Sequence, residues 1–279
     1  MNDELKSPVT FQGAKVRLAS QIVDVLWAGK DTKYFDLCCG GGSISLQLFR
    51  RGVPPENITM VDAGPWGDFW RAIASGSFDL GVLRMLLDMI PKDRSKIRDH
   101  IERLSNTNAS VMTPYVYLLL QASSFGGKAI WREGDKWKNT TFRGYWEPKD
   151  GCNRQSPVNP MMPMPDELYR RVEAIVRSDL YGRVRGCRCV LPECMEELGL
   201  IGQGVAYIDP PYKGATGYGR AFDVVSAAKR FDGVCYVSEG VPLTKEAHRL
   251  SEHRQKGGVS GKRERKQEEW ISVFRNKDQ

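Results

Sequence analysis

Long apolar runs are missing from this sequence. No window approaches the ~18 consecutive apolar residues that a membrane-spanning helix requires, and the polar start from Met1 to Lys6 lacks the apolar stretch of a secretory signal. Both absences predict a cytoplasmic protein without a membrane partner. A disulfide framework is missing too, because the seven cysteines are odd in number and irregularly placed, so reduced thiols are expected. Cys187, Cys189 and Cys194, with His248 and His253 downstream, can be imagined as zinc ligands, but Cys187 and Cys189 alternate like strand residues and no metal is expected. No internal repeat is present, and nothing specifies a stable oligomer, which leaves a monomer or a weak dimer. What is there is ample for a fold: 279 residues with 41% hydrophobic content can bury one sizeable α/β core and carry a smaller second lobe. A net charge of +7 favours an anionic partner.

Apolar spacing predicts the element order. Lys15 to Ala28 puts Leu18, Ile22, Val25 and Leu26 on one helical face, and Tyr34 to Cys38 reads as a short buried strand. Gly40, Gly41 and Gly42 end that strand, Ser43 is placed to cap a helix through Phe49, and Ile58 to Val61 forms a second strand ending in Asp62. Helical patterns follow at Trp66 to Ala74 and Leu80 to Ile90; after a charged stretch, Thr113 and Pro114 start an apolar helix through Gln121. From Ser123 to Pro165 the chain is loop-rich and suggests a separate lobe. Helix periodicity resumes from Asp166 to Leu180, and strands are expected at Val184 to Val190, Gly204 to Ile208, Gly233 to Val237 and Trp270 to Phe274. Strands and helices alternating at both ends imply one mostly parallel sheet with an insertion of irregular composition.

Two turns carry chemistry. The first, Asp36 to Ser43, stands where a strand hands over to a helix, so its glycines let the backbone approach a ligand and the helix start offers unpaired N–H groups. It has neither the Lys-Ser/Thr of a phosphate loop nor the spaced glycines of G-x-G-x-x-G, and alone it is equally compatible with a plain tight connection. Asp62, at the end of the next strand, adds a carboxylate able to accept hydrogen bonds from ribose hydroxyls, which points to a nucleoside; the competing reading is a cap on the following helix. The second turn is Asp209-Pro210-Pro211-Tyr212. Two prolines after an apolar strand make a rigid turn at a strand's C-terminal end, where open α/β sheets place their active sites. The exocyclic amine of adenine is a poor nucleophile because its lone pair is delocalised into the ring. Acceptors for both its N–H groups, here Asp209 and the Pro210 carbonyl, favour the pyramidal amine, and Tyr212 can stack on a base swung out of the duplex. A stiff surface turn is the plainer alternative.

These residues resemble a family, the Dam-like, D12-class DNA adenine-N6 methyltransferases, in particular versions encoded by phages. Phe11-Gln-Gly-Ala-Lys15 is similar to the family's N-terminal motif, in which an aromatic residue and a lysine contact S-adenosylmethionine. The run holding Asp36, Cys38, Gly40, Gly41, Gly42 and Ser43 resembles its glycine-rich loop, Asp62 its ribose-binding acid, and Asp209 to Tyr212 its catalytic motif. Cofactor motifs before an insertion and catalysis after it is the order of the family's α group. The sequence departs from the pattern at Cys38, where relatives carry an aromatic residue. It departs again at Pro192-Glu193-Cys194, where they carry an Asp-Phe pair for the cofactor's adenine; Glu193 either substitutes or is a helix N-terminal acid.

The resemblance implies a doubly wound, Rossmann-like S-adenosylmethionine-dependent methyltransferase domain over residues 1–95 and 181–279, with a target-recognition insertion over 96–180. It implies direct methyl transfer to N6 of a flipped adenine in double-stranded DNA, serving either protection from restriction or regulation. Charge supports DNA contact independently. Residues 126–155 carry Lys128, Arg132, Lys136, Lys138, Arg143, Lys149 and Arg154 against four acids, interleaved with Trp131, Trp137, Phe142, Tyr145 and Trp146. Cations can bind phosphates while aromatics stack on or wedge between bases; a small aromatic core with solvated charges is the alternative. Lys256 to Lys266 is a second basic run, either a phosphate clamp or an ordinary charged hairpin. Other readings are amino-methylation of cytosine N4 or of RNA, a non-catalytic nucleic-acid-binding module of the same fold, and a small-molecule methyltransferase, which would have little use for the basic aromatic insertion.

Overall fold

A computed structural model of the chain describes residues 5–144, 150–151, 159–191, 195, 203–210, 222–254 and 266–275. Its elements run α1 (Ala19–Leu26), β1 (Tyr34–Leu37), α2 (Ser43–Arg50), β2 (Ile58–Asp62), α3 (Pro65–Ala74), α4 (Leu80–Asp88), α5 (Ile97–Leu104) and α6 (Thr113–Ser123). A hairpin of β3 (Trp131–Glu133) and β4 (Lys136–Lys138) follows, then α7 (Pro165–Val176), β5 (Arg185–Arg188), β6 (Val205–Ile208), α8 (Val224–Lys229), β7 (Val234–Glu239), β8 (Ala247–Arg254) and β9 (Lys266–Arg275). The main sheet has seven strands in the order β5-β2-β1-β6-β7-β9-β8. β1 runs parallel to β2 and β6, and β6 parallel to β7, whereas β9 is antiparallel to both β7 and β8. This is a mixed α/β, mostly parallel sheet compatible with a Rossmann-like fold. Among the described residues no helix is long and apolar enough to cross a membrane.

The chain divides into two compact units, residues 15–63 with 189–279, and residues 1–14 with 64–188. In the first of these, β1 and β6 are buried at every position, as expected of strands flanked on both sides in a parallel sheet. From β1 the chain moves outward to β2 and later returns on the other flank as β6. That reversal makes a switch point at the carboxyl ends of β1 and β6, the position where such sheets leave a crevice. α1 starts at Ala19 rather than Lys15, because residues 15–18 form a turn in which Leu18 N–H donates to the Lys15 carbonyl at 2.9 Å. Its buried face uses Val23 as well as Ile22 and Leu26. Ser43 is the first residue of α2, not its cap: Gly42 occupies that position at φ 76° and makes no side-chain cap bond, a left-handed conformation that a glycine adopts without Cβ strain.

The other unit is built around α6, every residue of which is buried. Trp66, Phe69, Trp70, Phe78, Tyr115 and Tyr117 pack there in a chain of mostly edge-to-face contacts. Gly186 in β5 passes so close to α3 that a Cβ would lie 2.3 Å from the Trp70 carbonyl oxygen, so only glycine permits this packing. α5 lies within the stretch read from sequence as merely charged. Ile97 and Ile101, one turn apart, are its only buried side chains and suffice to seat it. Cys38, Cys39, Cys187 and Cys235 are reduced thiols. Cys189 departs from the expectation of reduced thiols: it is disulfide-bonded.

Candidate active site

The chain at the carboxyl end of β1 is held by the backbone of its neighbour. Cys39 N–H donates to the Val61 carbonyl at 2.9 Å, and Gly40 N–H donates to Asp62 Oδ2 at 3.0 Å. Asp62 therefore clamps the glycine turn. Cys38 itself has φ 71°, a strained conformation for a residue with a Cβ. Gly41 and Gly42 are buried and Ser43 is half-buried. Asp36 is buried and turned towards α2, where its Oδ2 accepts from both the Ser45 N–H at 3.2 Å and the Ser45 hydroxyl at 2.7 Å. Its role in this arrangement is to tie β1 to the start of α2.

β6 delivers Asp209 to the same end of the sheet. Asp209 follows Ile208, which pairs with Leu37, and the next residue, Pro210, is buried. Asp209 Oδ1 lies 2.6 Å from the Lys15 Nζ, and Glu269 Oε1 lies 3.8 Å from the same nitrogen. Lys15, Asp209 and Glu269 keep only 10%, 18% and 10% of their side-chain exposure, so the pairing operates in a weakly screened environment. Below them the Tyr207 hydroxyl and Ser238 Oγ are 2.6 Å apart, bridging β6 and β7.

Burial shapes the charges. It raises the Asp209 carboxyl, Lys15 opposes, Glu269 adds, and the balance is a pKa of about 6. Asp36 is raised to about 7, again first by burial, against its Ser45 hydrogen bonds and with the charges of Asp209 and Asp62. For Lys15 burial lowers the pKa, but Asp209, Glu269 and Glu239 outweigh it and leave the ammonium above its ordinary range. Burial and the charges of Asp62, Asp209 and Asp36 push the Cys38 thiol well up, so it stays neutral and a poor nucleophile. The site thus sets Asp209, Glu269 and Glu239 around Lys15, with Asp36 and Asp62 acting on the neighbouring groups.

The remaining sequence candidates fall elsewhere or outside the described residues. Pro211, Tyr212 and Glu193 are not among those described, nor are residues 255–265 of the basic run, which connects β8 to β9. Phe11 belongs to the other unit, with its ring 5.8 Å from that of Trp66 and the next amide, Gln12 N–H, donating to the Gly127 carbonyl. On the hairpin, Arg132 faces Trp137 across the strands, its guanidinium 4.7 Å from the indole and donating to the Asp135 carbonyl at 2.7 Å. That makes Arg132 a buried strut. Lys138 pairs with Glu133 at 3.0 Å, and the Arg143 Nε donates to the Ser124 carbonyl at 3.0 Å, while Lys128 and Lys136 are exposed.

Sequence reasoning missed Glu269, Ser45 and the Tyr207–Ser238 bridge. Glu269 did leave a signal: it stands in phase with Ile271 and Val273, all three buried, and an acid in register with core residues of a strand demands a partner. The hairpin was signalled by Gly134-Asp135 between its strands. Compared with protein-family models and with curated proteins, the chain matches none.

Proposed function

We propose that the chain is an S-adenosylmethionine-dependent DNA methyltransferase that methylates N6 of adenine. The observation that carries this reading is the convergence of Lys15, the glycine turn with Asp62, and Asp209 at the carboxyl ends of β1, β2 and β6. The site's chemistry fits the cofactor. Its carboxylates outnumber its cations, which suits a ligand bearing a sulfonium and an ammonium, and the Gly42 turn leads into the start of α2, where backbone N–H groups suit a polar moiety.

When bound, the cofactor supplies an electrophilic methyl group. Asp209 and the Pro210 carbonyl accept from the target amine and favour the geometry that exposes its lone pair. Burial excludes water and keeps the Asp209 acceptor strong. Asp62 holds the glycine turn and, with its carboxylate at the strand end, suits ribose hydroxyls. Tyr212 stacks on the extruded base, and Lys128 and Lys136 offer phosphate contacts. Catalysis rests on positioning, because a single in-line displacement needs no covalent enzyme intermediate.

The test is to incubate the protein with methyl-labelled S-adenosylmethionine and unmethylated duplex DNA, then digest to nucleosides. Label in N6-methyladenine is expected. Label in N4-methylcytosine would move the reading to the other amino-methylating class, and cofactor binding without transfer to DNA or RNA would overturn it.

A further inference from the structure

We propose that Glu269 is a positioning residue of this site, a second anchor for the Lys15 ammonium that lets Lys15 leave Asp209 when the target amine takes its place. The inference rests on the methyltransferase reading and adds a residue that neither the motifs nor the resemblance contains.

The geometry poses a conflict that Glu269 resolves. Lys15 Nζ sits 2.6 Å from Asp209 Oδ1, within the reach that a substrate N–H would also need. Lys15 is buried, and a buried ammonium drawn away from its counter-ion with no other acceptor at hand would be left with an uncompensated charge. Glu269 Oε1, 3.8 Å from the same nitrogen, supplies the alternative acceptor within a small side-chain rotation. Topology puts it there. β9 runs antiparallel to β7 with Trp270 opposite Glu239, so the residue before Trp270 lies beyond that pair, at the end of the sheet where β6 releases Asp209.

The groups facing this trio are those of each neighbouring strand. β1 contributes Asp36, itself under the charge of Asp62, β6 contributes Tyr207, and β7 Glu239, while Lys15 precedes α1. Lys15 is the single cation among these named groups, and among the described residues it meets the carboxylates of Asp209 and Glu269 within 4.0 Å. Glu269 also acts on Asp209 through its charge, which raises the Asp209 carboxyl and so opposes the effect of Lys15.

Glu269→Gln keeps the shape and removes the charge. In the full-length protein, the Asp209 carboxyl is followed by carbon-13 NMR across pH, assigned by its loss in Asp209→Asn. The wild-type midpoint is expected near pH 6, moving lower in Glu269→Gln because a nearby negative charge is gone and Lys15 stays on Asp209. An unmoved midpoint overturns the proposal. Under single turnover on unmethylated duplex at saturating cofactor, Glu269→Gln should be slower by on the order of tenfold, and Glu269→Asp should recover part of the rate. A Glu269→Gln that only melts earlier, with rate and titration unaltered, marks a purely structural role and also overturns it. If the wild-type protein transfers no methyl group to DNA or RNA, the methyltransferase reading falls; the NMR titration, which needs no activity, still upholds or overturns the hold of Glu269 on Lys15.

Discussion

The Lys15 ammonium and the Asp209 carboxylate are separated by 194 positions in the sequence and by 2.6 Å in the fold. The pair joins the turn before α1 to the turn after β6, so both candidate motifs meet in one contact. With Asp209 removed, Lys15 still has Glu269 within 3.8 Å. Asp209→Ala is therefore expected to fold and to bind S-adenosylmethionine while losing methyl transfer by about a hundredfold or more, since the acceptor acts on the target amine. Single-turnover rates and cofactor calorimetry on the same preparation check this; turnover like that of the wild type would sink the mechanism.

Acidity should gate the reaction through the same residue. Protonated Asp209 cannot serve as an anionic acceptor, and its pKa of about 6 places the change within an accessible range. The rate of the chemical step should rise with pH through about 6 and level off above it. A profile flat from about pH 5 to 8 would show that Asp209 is not the titrating acceptor.

Asp36 allows a test by stability. Its folded pKa of about 7 lies above the ordinary 3.8, so the native state prefers the protonated form. Its stabilising contribution is fully present below the unfolded pKa and is lost as pH rises through the folded one. Asp36→Asn keeps an acceptor oxygen for Ser45 and should flatten the fall in stability between about pH 4 and 7. Urea unfolding at about pH 5 and about pH 8 measures it, and an equal pH dependence in both proteins would contradict the assignment.

Exposed and buried cations of the 126–155 region should behave differently. Lys128 and Lys136 face solvent, so changing both to Ala should weaken DNA binding alike for all sequences and flatten its salt dependence by roughly one unit for each phosphate no longer neutralised. Arg132 is packed on Trp137; Arg132→Ala should instead lower the melting temperature, because removing the strut exposes the indole. A salt slope unchanged in the double lysine variant would turn those side chains away from DNA.

Tyr212 is expected to act through its ring. Tyr212→Phe should keep much of the activity, and Tyr212→Ala should lose on the order of 1 to 3 kcal/mol of base stabilisation, or roughly tenfold to a hundredfold in rate. The loss should shrink on a duplex whose target adenine is mispaired, since that base costs less to extrude. Phe as damaging as Ala would assign the role to the hydroxyl.

Local order was set by the sequence itself. Tyr34 to Leu37, apolar but for Asp36, and Val205 to Ile208 are stretches too short for helices and bounded by turn residues, and both are buried strands. The positions of the glycine turn and of Asp209 after its strand followed from the same local rules, because Gly42 permits a left-handed turn and Pro210 fixes φ and removes a ladder donor wherever they stand. The alternation implied a mostly parallel sheet. Tertiary structure decided which residues meet. Lys15 spacing suggested a helix, but the fold makes a turn there and presents the ammonium to Asp209. Asp36 could have faced a ligand or the protein, and Ser45 in α2 turns it inward. Arg132 and Lys136 look alike among the basic residues of the region, yet strand alternation buries one and exposes the other. Glu269 gained its position only when β9 reversed direction against β7. Propensity and turn chemistry act over a few residues and are legible in order; ion pairing and burial depend on through-space distances, which the chain acquires only by closing its long-range contacts.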